Sequence, residues 1–338
     1  MKPRLSICIA TRNRARFLES TLATILVAAS GEPIEVVILD GASTDETSAV
    51  VKRAQEGFPA IRYQRQEVNG GVDRDYAAAV ALAAADYCWL MSDDDHLKPD
   101  AVRRVLETLA AQPSLLVVNA ELRTPDMTEV LDPSRLGFVE DRRYAPKESE
   151  RLFVDTAGYL TFIGGVVVRR DLWMSRVSER YFGSGFAHLG VLFEAPLPSI
   201  ALAIGEPLIE IRHGNISWSE RAFSIWMFDL PGLIWSLDNV SERARASVTP
   251  REPWRSLRNL LIYRTLGAYT KREYDRIVER ANPSPGMRAI ALGVALLPGA
   301  LLNFAAVLYC LATRSRVALF SLQASRYYLP RMFRARSR

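Results

Sequence analysis

The chain has 338 residues, which is long enough for one large domain or for a domain of about 200 residues with extensions. Its net charge of +5 at pH 7 favours an acidic partner, such as nucleic acid, anionic lipid or a phosphorylated substrate. The three cysteines lie far apart, which argues against a disulfide framework or a zinc site and fits a reducing cytoplasm.

Continuous apolar runs alternate with helical patterns from residue 5 onward. The runs predict four β-strands, at residues 5–10, 34–39, 86–91 and 115–119, and we expect a weaker strand at 61–65. Apolar residues at helical spacing predict helices between these strands, and the spacing of Ser43 and Glu46 predicts a capping box for a helix over 44–56. Strands that are apolar on both faces and separated by helices form mostly parallel sheets covered on both sides. We therefore expect an α/β fold.

Polar residues follow the ends of three predicted strands. Thr11 follows the first strand, Asp40 the second, and a triplet of aspartates, 93–95, follows the fourth within CWLMSDDDHLKP. In open α/β sheets, ligands bind in the crevice beyond the carboxyl ends of the strands. These polar residues should therefore share one crevice.

The aspartate triplet needs a counter-charge. Two carboxylates about 4 Å apart repel by roughly 4 kcal/mol at an effective dielectric constant of about 20. Mg²⁺ or Mn²⁺ would neutralise them, because such ions take one or two carboxylates together with substrate phosphates. The alternative is capping of the helix that Pro99 opens, but three aspartates exceed what capping requires.

Four motifs occur in an order that resembles a known family. They are IATRN (9–13), LDGASTDET (39–47), NGGVDRD (69–75) and ADYCWLMSDDDHLKPDAV (85–102). Together they resemble the nucleotide-binding half of family 2 glycosyltransferases with the GT-A fold, a Rossmann-like nucleotide-diphospho-sugar transferase fold. Within the family they are most similar to the abequosyltransferase-like branch, which builds bacterial O-antigen.

The resemblance implies roles in nucleotide binding for four residues outside the triplet. Thr11 and Arg12 would line the base or the ribose, and Asp40 would accept a hydrogen bond from the base. Arg74 would lie near the sugar-nucleotide. Two alternatives stay open: Asp40 as a cap of the following turn, and Arg74 as a solvated helix charge.

The resemblance also implies a Mn²⁺ or Mg²⁺ site. Asp93 matches the ribose-contacting position and Asp94 the metal-contacting position, while Asp95 would share the metal or support its ligands. His213, on a basic glycine-containing loop, suits the diphosphate or a third metal ligand. Its alternative is an ordinary surface loop residue.

A catalytic base is harder to find. An inverting member of the family needs a base for the acceptor hydroxyl, usually an acid at the start of the acceptor-side helix. The corresponding stretch here, 181–196, has no acid pair, so we assign the catalytic group to His188 and Asp95. The alternative for His188 is a packed helix histidine, and Asp155 and Glu194 are weaker candidates for the base.

The C-terminal third has a different pattern. Residues 289–313 include no charged residue, which is long enough for a membrane span of about 20 residues, but Pro298-Gly299 favours a broken or re-entrant hairpin. The stretch 316–338 is typical of a basic amphipathic segment on anionic lipid. The alternative is a helix pair packed on the catalytic domain.

Together these patterns predict a domain order. Residues 1–218 form a GT-A catalytic domain, with 1–119 as its nucleotide-binding half and 120–218 as its acceptor half. A helical extension follows over 219–286, and 287–338 form an apolar hairpin and a basic, membrane-associated tail.

The expected function is transfer of a sugar from a nucleotide-sugar donor to a lipid-linked saccharide acceptor. The acceptor would be a polyprenyl-diphosphate-linked oligosaccharide of O-antigen or another surface polysaccharide, at the cytoplasmic face of the bacterial inner membrane. A nucleotidyltransferase and a non-enzymatic, nucleotide-binding membrane adaptor are the alternatives. We expect no nucleic-acid partner, because the basic residues do not interleave with aromatic residues on one patch.

Overall fold

A computed structural model describes residues 2–214 and 221–329 of the chain. Contacts divide it into two compact units. The first contains the residues up to Arg212 together with Leu233–Val248, and the second contains His213–Gly232 and the residues from Thr249 onward. The predicted boundary at 218 and the end of the basic tail, 330–338, lie outside the described residues.

The first unit contains a single mixed β-sheet of ten strands among the described residues. The strands are β1 (Leu5–Thr11), β2 (Ile34–Asp40), β3 (Ile61–Arg65), β4 (Tyr87–Met91), β5 (His96–Leu97), β6 (Leu115–Arg123), β7 (Val130–Asp132), β8 (Arg142–Tyr144), β9 (Val166–Arg169) and β10 (Ala201–Arg212). The five predicted strands are confirmed as β1 to β4 and β6.

The sheet has the order β3-β2-β1-β4-β9-β6-β10-β5, with β7 pairing with β6 and β8 with β10. Strands β3, β2, β1 and β4 are parallel to one another, and β6 is parallel to β10. Strand β9 runs antiparallel to both β4 and β6. The prediction of a mostly parallel α/β sheet is thus confirmed, with β9 as the main exception.

Helices connect the strands and continue through the second unit. They are α1 (Ala15–Ala28), α2 (Thr47–Gly57), α3 (Val72–Leu82), α4 (Ala101–Leu109), α5 (Ser149–Thr156), α6 (Arg170–Arg176), α7 (Ala187–Phe193), α8 (Ala222–Ser224), α9 (Leu230–Trp235), α10 (Glu242–Val248), α11 (Leu257–Leu266), α12 (Lys271–Glu273), α13 (Pro285–Leu296), α14 (Gly299–Ala312) and α15 (Arg316–Ala324).

The start of α2 differs from the prediction. The helix begins at Thr47, and its first N–H groups are not capped by Ser43. The Ser43 hydroxyl instead accepts a hydrogen bond from the N–H of Asn13 at 2.8 Å, and Asp45 accepts one from the N–H of Thr47 at 3.1 Å. The predicted capping box is therefore wrong, because Ser43 ties the loop after β2 to the loop after β1.

The second unit is helical around an aromatic core that includes the buried residues Phe223, Trp254 and Tyr269. Helices α13 and α14 meet at a break bent by 82°. Arg264 of α11 is buried and donates from Nε to the carbonyl of Leu297, at the break, over 2.8 Å. This bond satisfies a carbonyl at the end of α13, where Pro298 cannot continue the helix ladder.

The apolar hairpin that the sequence predicts corresponds to α13 and α14. No single helix of the described chain combines enough length and apolar character to cross a membrane, whereas this bent pair meets the requirement when taken together. On α14, a row of apolar side chains at helical spacing is about half exposed or more: Leu301, Phe304, Leu308 and Leu311.

Candidate active site

Three parallel strands bring the predicted polar residues to one edge of the sheet. Thr11 ends β1, which lies between β2 and β4, and it is paired in register with Asp40 at the end of β2. The Thr11 hydroxyl donates a hydrogen bond to Oδ2 of Asp93, beyond β4, over 2.7 Å. The edge therefore joins the end of the first strand to the aspartate triplet.

Two carboxylates of the triplet converge on one cation, Arg14. Its Nε donates to Oδ1 of Asp93 at 2.8 Å, and its Nη2 contacts Oδ2 of Asp94. Burial raises the pKa of Asp93 to about 6, despite the nearby guanidinium. Burial would lower the pKa of Arg14, but Asp93 and Asp94 outweigh it and the pKa is raised. Arg14 thus remains charged and offsets one of the two negative charges of the pair.

The third carboxylate of the triplet has different partners. Asp95 accepts hydrogen bonds from the Ser92 hydroxyl and, at 2.9 Å, from the backbone N–H of Arg212 at the end of β10. The Arg212 side chain also donates from Nε to the carbonyl of Asp94 at 3.1 Å. Burial and the charge of Asp94 raise the pKa of Asp95 well above its ordinary value. Asp95 therefore anchors the loop to β10.

The donor set suits a divalent cation only when a substrate completes it. The described residues contain no group of three or more His, Cys, Asp or Glu side chains that could hold a metal ion. However, Asp93 and Asp94 already direct one oxygen each towards a single positive group. Mg²⁺ and Mn²⁺ commonly take one or two carboxylates and fill their remaining positions with water and phosphate oxygens. The pair thus fits such an ion with a diphosphate.

His213 belongs to the second unit. Its Nε2 lies 3.3 Å from the hydroxyl of Ser321, and its ring centroid lies 6.3 Å from that of Phe320. The predicted metal contact of His213 stays a prediction.

Asp40 is fully buried and its two oxygens already accept hydrogen bonds. Oδ1 accepts from the N–H of Ser43 at 2.7 Å, and Oδ2 accepts from the hydroxyl of Tyr63 at 2.6 Å. Burial, together with the hydrogen bond to Asp40, raises the pKa of Tyr63, so this hydroxyl stays protonated and donates. Arg12 follows β1 nearby and is exposed.

The NGGVDRD segment contributes two inward-facing aspartates that the sequence analysis did not single out. Asp73 accepts hydrogen bonds from three backbone N–H groups, those of Gly183 at 2.8 Å, Gly185 at 2.9 Å and Ala187 at 3.1 Å. This carboxylate ties the start of α3 to the start of α7. Asp75, two residues further along α3, is buried beside Asp40.

Arg74 points the other way from these aspartates. Its Nη1 pairs with Glu179 at 2.7 Å, and its guanidinium carbon lies 5.0 Å from the ring centroid of Phe182. Half of the Arg74 side chain is exposed. The residue thus contacts the loop before α7, and its predicted contact with the sugar-nucleotide stays a prediction.

His188 is enclosed in the first unit. The residue is 2% exposed, and its Nε2 lies 2.7 Å from the carbonyl of Leu160. Burial lowers its pKa to about 4, so the ring is neutral at physiological pH and donates to this carbonyl. The geometry is that of a packed helix histidine. To act as a general base, His188 would have to break its hydrogen bond with the carbonyl of Leu160. The role of His188 as general base stays a prediction.

The other two candidate bases also have protein partners. Asp155 accepts from Nη1 of Arg142 and from the hydroxyl of Tyr144, both at 2.9 Å. Glu194 accepts from the Tyr181 hydroxyl at 2.6 Å and pairs with Arg180. Neither carboxylate contacts the aspartate triplet.

Sequence comparison matches this chain to a family model and to several known proteins. Residues 6–173 match the family model described as glycosyl transferase family 2. The abequosyltransferase of Salmonella typhimurium is 28% identical over 230 residues, which are 64% of this chain and 69% of that protein. The chondroitin synthase of Pasteurella multocida is 30% identical over 116 residues, which are 34% of this chain but only 12% of that protein.

Solved structures share the fold at low sequence identity. The crystal structure of S. aureus TarS 1-349 in complex with UDP has a TM-score of 0.54 and 13% identity, and the match covers 99% of this chain and 92% of that one. A mannosyltransferase from Pyrobaculum calidifontis, in complex with GDP-Man and Mn²⁺, has a TM-score of 0.53 and 15% identity, with 96% and 86% covered. The expected GT-A fold is thus confirmed, and the chain carries a glycosyl transferase family 2 domain over residues 6–173.

Proposed function

We propose that this glycosyltransferase moves a sugar from a nucleotide-sugar donor to an acceptor hydroxyl, with Asp93 and Asp94 binding the donor diphosphate through Mn²⁺ or Mg²⁺. The observation that carries the proposal is the convergence of these two carboxylates on one cationic group beside the end of β1. Relatives give independent support, because one solved structure with this fold binds UDP and another binds GDP-Man and Mn²⁺.

The chemistry requires stabilisation of the departing nucleoside diphosphate. When bound, a divalent cation would supply positive charge next to the leaving oxygen. The chain contributes the positions of the ligands: Thr11 orients Asp93 by a hydrogen bond, and Arg212 holds the backbone at Asp94. The Arg14 guanidinium, on leaving the carboxylates, can donate to phosphate oxygens, because it forms charge-assisted bonds with either anion.

We further propose that the acceptor is linked to a polyprenyl diphosphate and that the enzyme acts at the cytoplasmic face of the bacterial inner membrane, in O-antigen or other surface polysaccharide assembly. The exposed apolar row on α14 supports this proposal, since contiguous exposed apolar surface is typical of interaction sites. Arg288 precedes this region and Arg314 and Arg316 follow it, and such side chains favour anionic lipid headgroups.

The decisive experiment measures binding of nucleoside diphosphates with and without Mn²⁺. Isothermal titration calorimetry with GDP, UDP and CDP should find at least one ligand that needs the metal. The Asp94→Ala variant should lose that metal-dependent binding, because half of the carboxylate pair is gone. Asp238→Ala, which removes an exposed aspartate of the same unit, is the matched control.

Three results would contradict the proposal in separate ways. Unchanged metal-dependent binding in Asp94→Ala would remove Asp94 from the site. Binding that ignores Mn²⁺ in the wild-type protein would show that Arg14, and not a metal, balances the diphosphate. Binding without sugar transfer to any lipid-linked acceptor would favour the nucleotide-binding adaptor.

A further inference from the structure

Asp75, in the first turn of α3, is a buried carboxylate to which the described residues donate no hydrogen bond. The residue is 5% exposed to solvent. The carboxylates of Asp40 and Asp73, which are also buried, accept two and three hydrogen bonds. Among the described residues, the enclosed side-chain polar atoms without a partner are those of Thr21, Trp173 and Arg245, so the Asp75 oxygens still reach solvent and are open to a ligand.

The surroundings of Asp75 destabilise its ionised form. Burial and the negative charge of Asp40 raise the pKa of Asp75 to about 6, and the charge of Arg12 offsets only part of this effect. A Cβ atom at Gly41 would lie 2.7 Å from Oδ2 of Asp75 and 3.4 Å from Oδ1 of Asn69. Glycine at position 41 therefore leaves the room that the carboxylate occupies.

The location of Asp75 separates it from the diphosphate site. Asp75 adjoins Asp40 at the end of β2, whereas the aspartate triplet follows β4, and β1 lies between the two strands. Neighbouring strands are about 4.8 Å apart, so the two positions are separated by roughly 10 Å along the sheet edge. In a nucleoside diphosphate the ribose lies between the base and the diphosphate, so one ligand could reach both positions.

We propose that Asp75 selects the nucleobase of the donor by accepting a hydrogen bond from an N–H group on the edge of the base. The proposal deepens the proposed function and rests on it. Asp40, which the sequence predicts for this role, already accepts from Ser43 and Tyr63 and is fully buried. No described residue donates a hydrogen bond to the Asp75 oxygens, and a base N–H group would supply that donor.

The test compares Kd values of GDP, UDP and CDP at saturating Mn²⁺ for the wild-type protein and Asp75→Asn. The three ligands share the diphosphate and the ribose, so their affinity ratio reports on the base alone. We expect the preferred ligand to bind at least about tenfold more weakly to the variant, because a neutral amide replaces the charged acceptor and the hydrogen bond from the base loses its charge assistance. The least preferred ligand should change by less than about threefold.

A second variant tests the same contact without removing the charge. Gly41→Ala places a methyl group against Oδ2 of Asp75 and should shift the affinity ratio in the same direction. Asp238→Asn is the control for removal of an exposed aspartate. Circular dichroism spectra of all variants check that the fold is retained.

The outcomes separate the two proposals. If the wild-type protein binds the three diphosphates with Mn²⁺ but Asp75→Asn and Gly41→Ala leave their affinity ratios unchanged, Asp75 does not select the base and the inference is overturned. A uniform loss of affinity for all three ligands overturns it as well. If the wild-type protein binds none of them, the proposed function itself fails.

Discussion

Removal of the Asp75 charge should make the protein more stable at neutral pH. The pKa of this carboxyl rises from its usual value of 3.8 to about 6 in the native state. One pKa unit corresponds to about 1.4 kcal/mol, so ionised Asp75 costs the native state up to about 3 kcal/mol. We expect Asp75→Asn to recover about 1 to 3 kcal/mol, because solvent contact weakens the repulsion from Asp40.

The gain should depend on pH in a defined direction. Between the unfolded-state pKa of 3.8 and the native-state pKa of about 6, native Asp75 holds a proton that the unfolded chain has released. The cost of ionised Asp75 is therefore absent below the lower value, grows between the two values and is complete above the upper one. Asp75→Asn should match the wild-type protein near pH 4 and exceed it increasingly up to pH 7.

Thermal unfolding followed by tryptophan fluorescence at several pH values measures this effect. For a chain of 338 residues, 1 kcal/mol corresponds to a Tm change of about 1–2 °C. The difference in Tm between variant and wild-type protein cancels the titration of other groups, such as Asp93, and Asp238→Asn controls for the loss of one negative charge. An Asp75→Asn variant that is no more stable than the wild-type protein above pH 6, or equally shifted at every pH, would refute the reasoning.

Two further predictions concern the cation site and the apolar surface. Arg14→Gln removes the positive charge that contacts the aspartate pair, so Mn²⁺ should bind the nucleotide-free variant about five- to tenfold more tightly. Electron paramagnetic resonance measures the Kd for Mn²⁺, and the control variant Arg16→Gln, at an exposed position, should leave this Kd unchanged. Unchanged or weaker Mn²⁺ binding would contradict this. Serine at both Leu301 and Phe304 should lower partition onto anionic vesicles at least about a hundredfold, because each buried apolar side chain contributes about 1.5–3 kcal/mol. Serine at exposed Val68 should leave the partition unchanged. Equal partition would contradict lipid contact.

The parallel part of the sheet could be predicted because most of its strands are apolar on both faces. The apolar residues of the connecting helices also recur at helical spacing. Strand β9 (Val166–Arg169) could not, since four residues between glycines and an arginine carry no sign of their antiparallel pairing with β4 and β6. That pairing depends on contacts distant in sequence. The break between α13 and α14 was predictable because Pro298 cannot continue a helix.

The NGGVDRD segment shows why the site was only partly predictable. The sequence indicates that a glycine turn opens a helix, but it does not indicate which side chains of the first turn face the interior. The family resemblance predicts Arg74 near the sugar-nucleotide, and in the structure its side chain pairs with Glu179. The flanking Asp73 and Asp75 face inward, and their partners or lack of partners become visible only when α3, β2 and the loop before α7 are in place.

The sequence predicts a counter-charge for the aspartate triplet but not its source. Three adjacent carboxylates require compensation, but repulsion alone does not say whether a metal ion or the chain provides it. The structure divides the triplet: Asp95 turns to Ser92 and to the backbone of Arg212, while Asp93 and Asp94 direct their oxygens to Arg14. A guanidinium can be displaced without unfolding a strand, so the Asp93 and Asp94 pair could exchange its counter-ion, while the metal contact and catalytic role of Asp95 stay predictions.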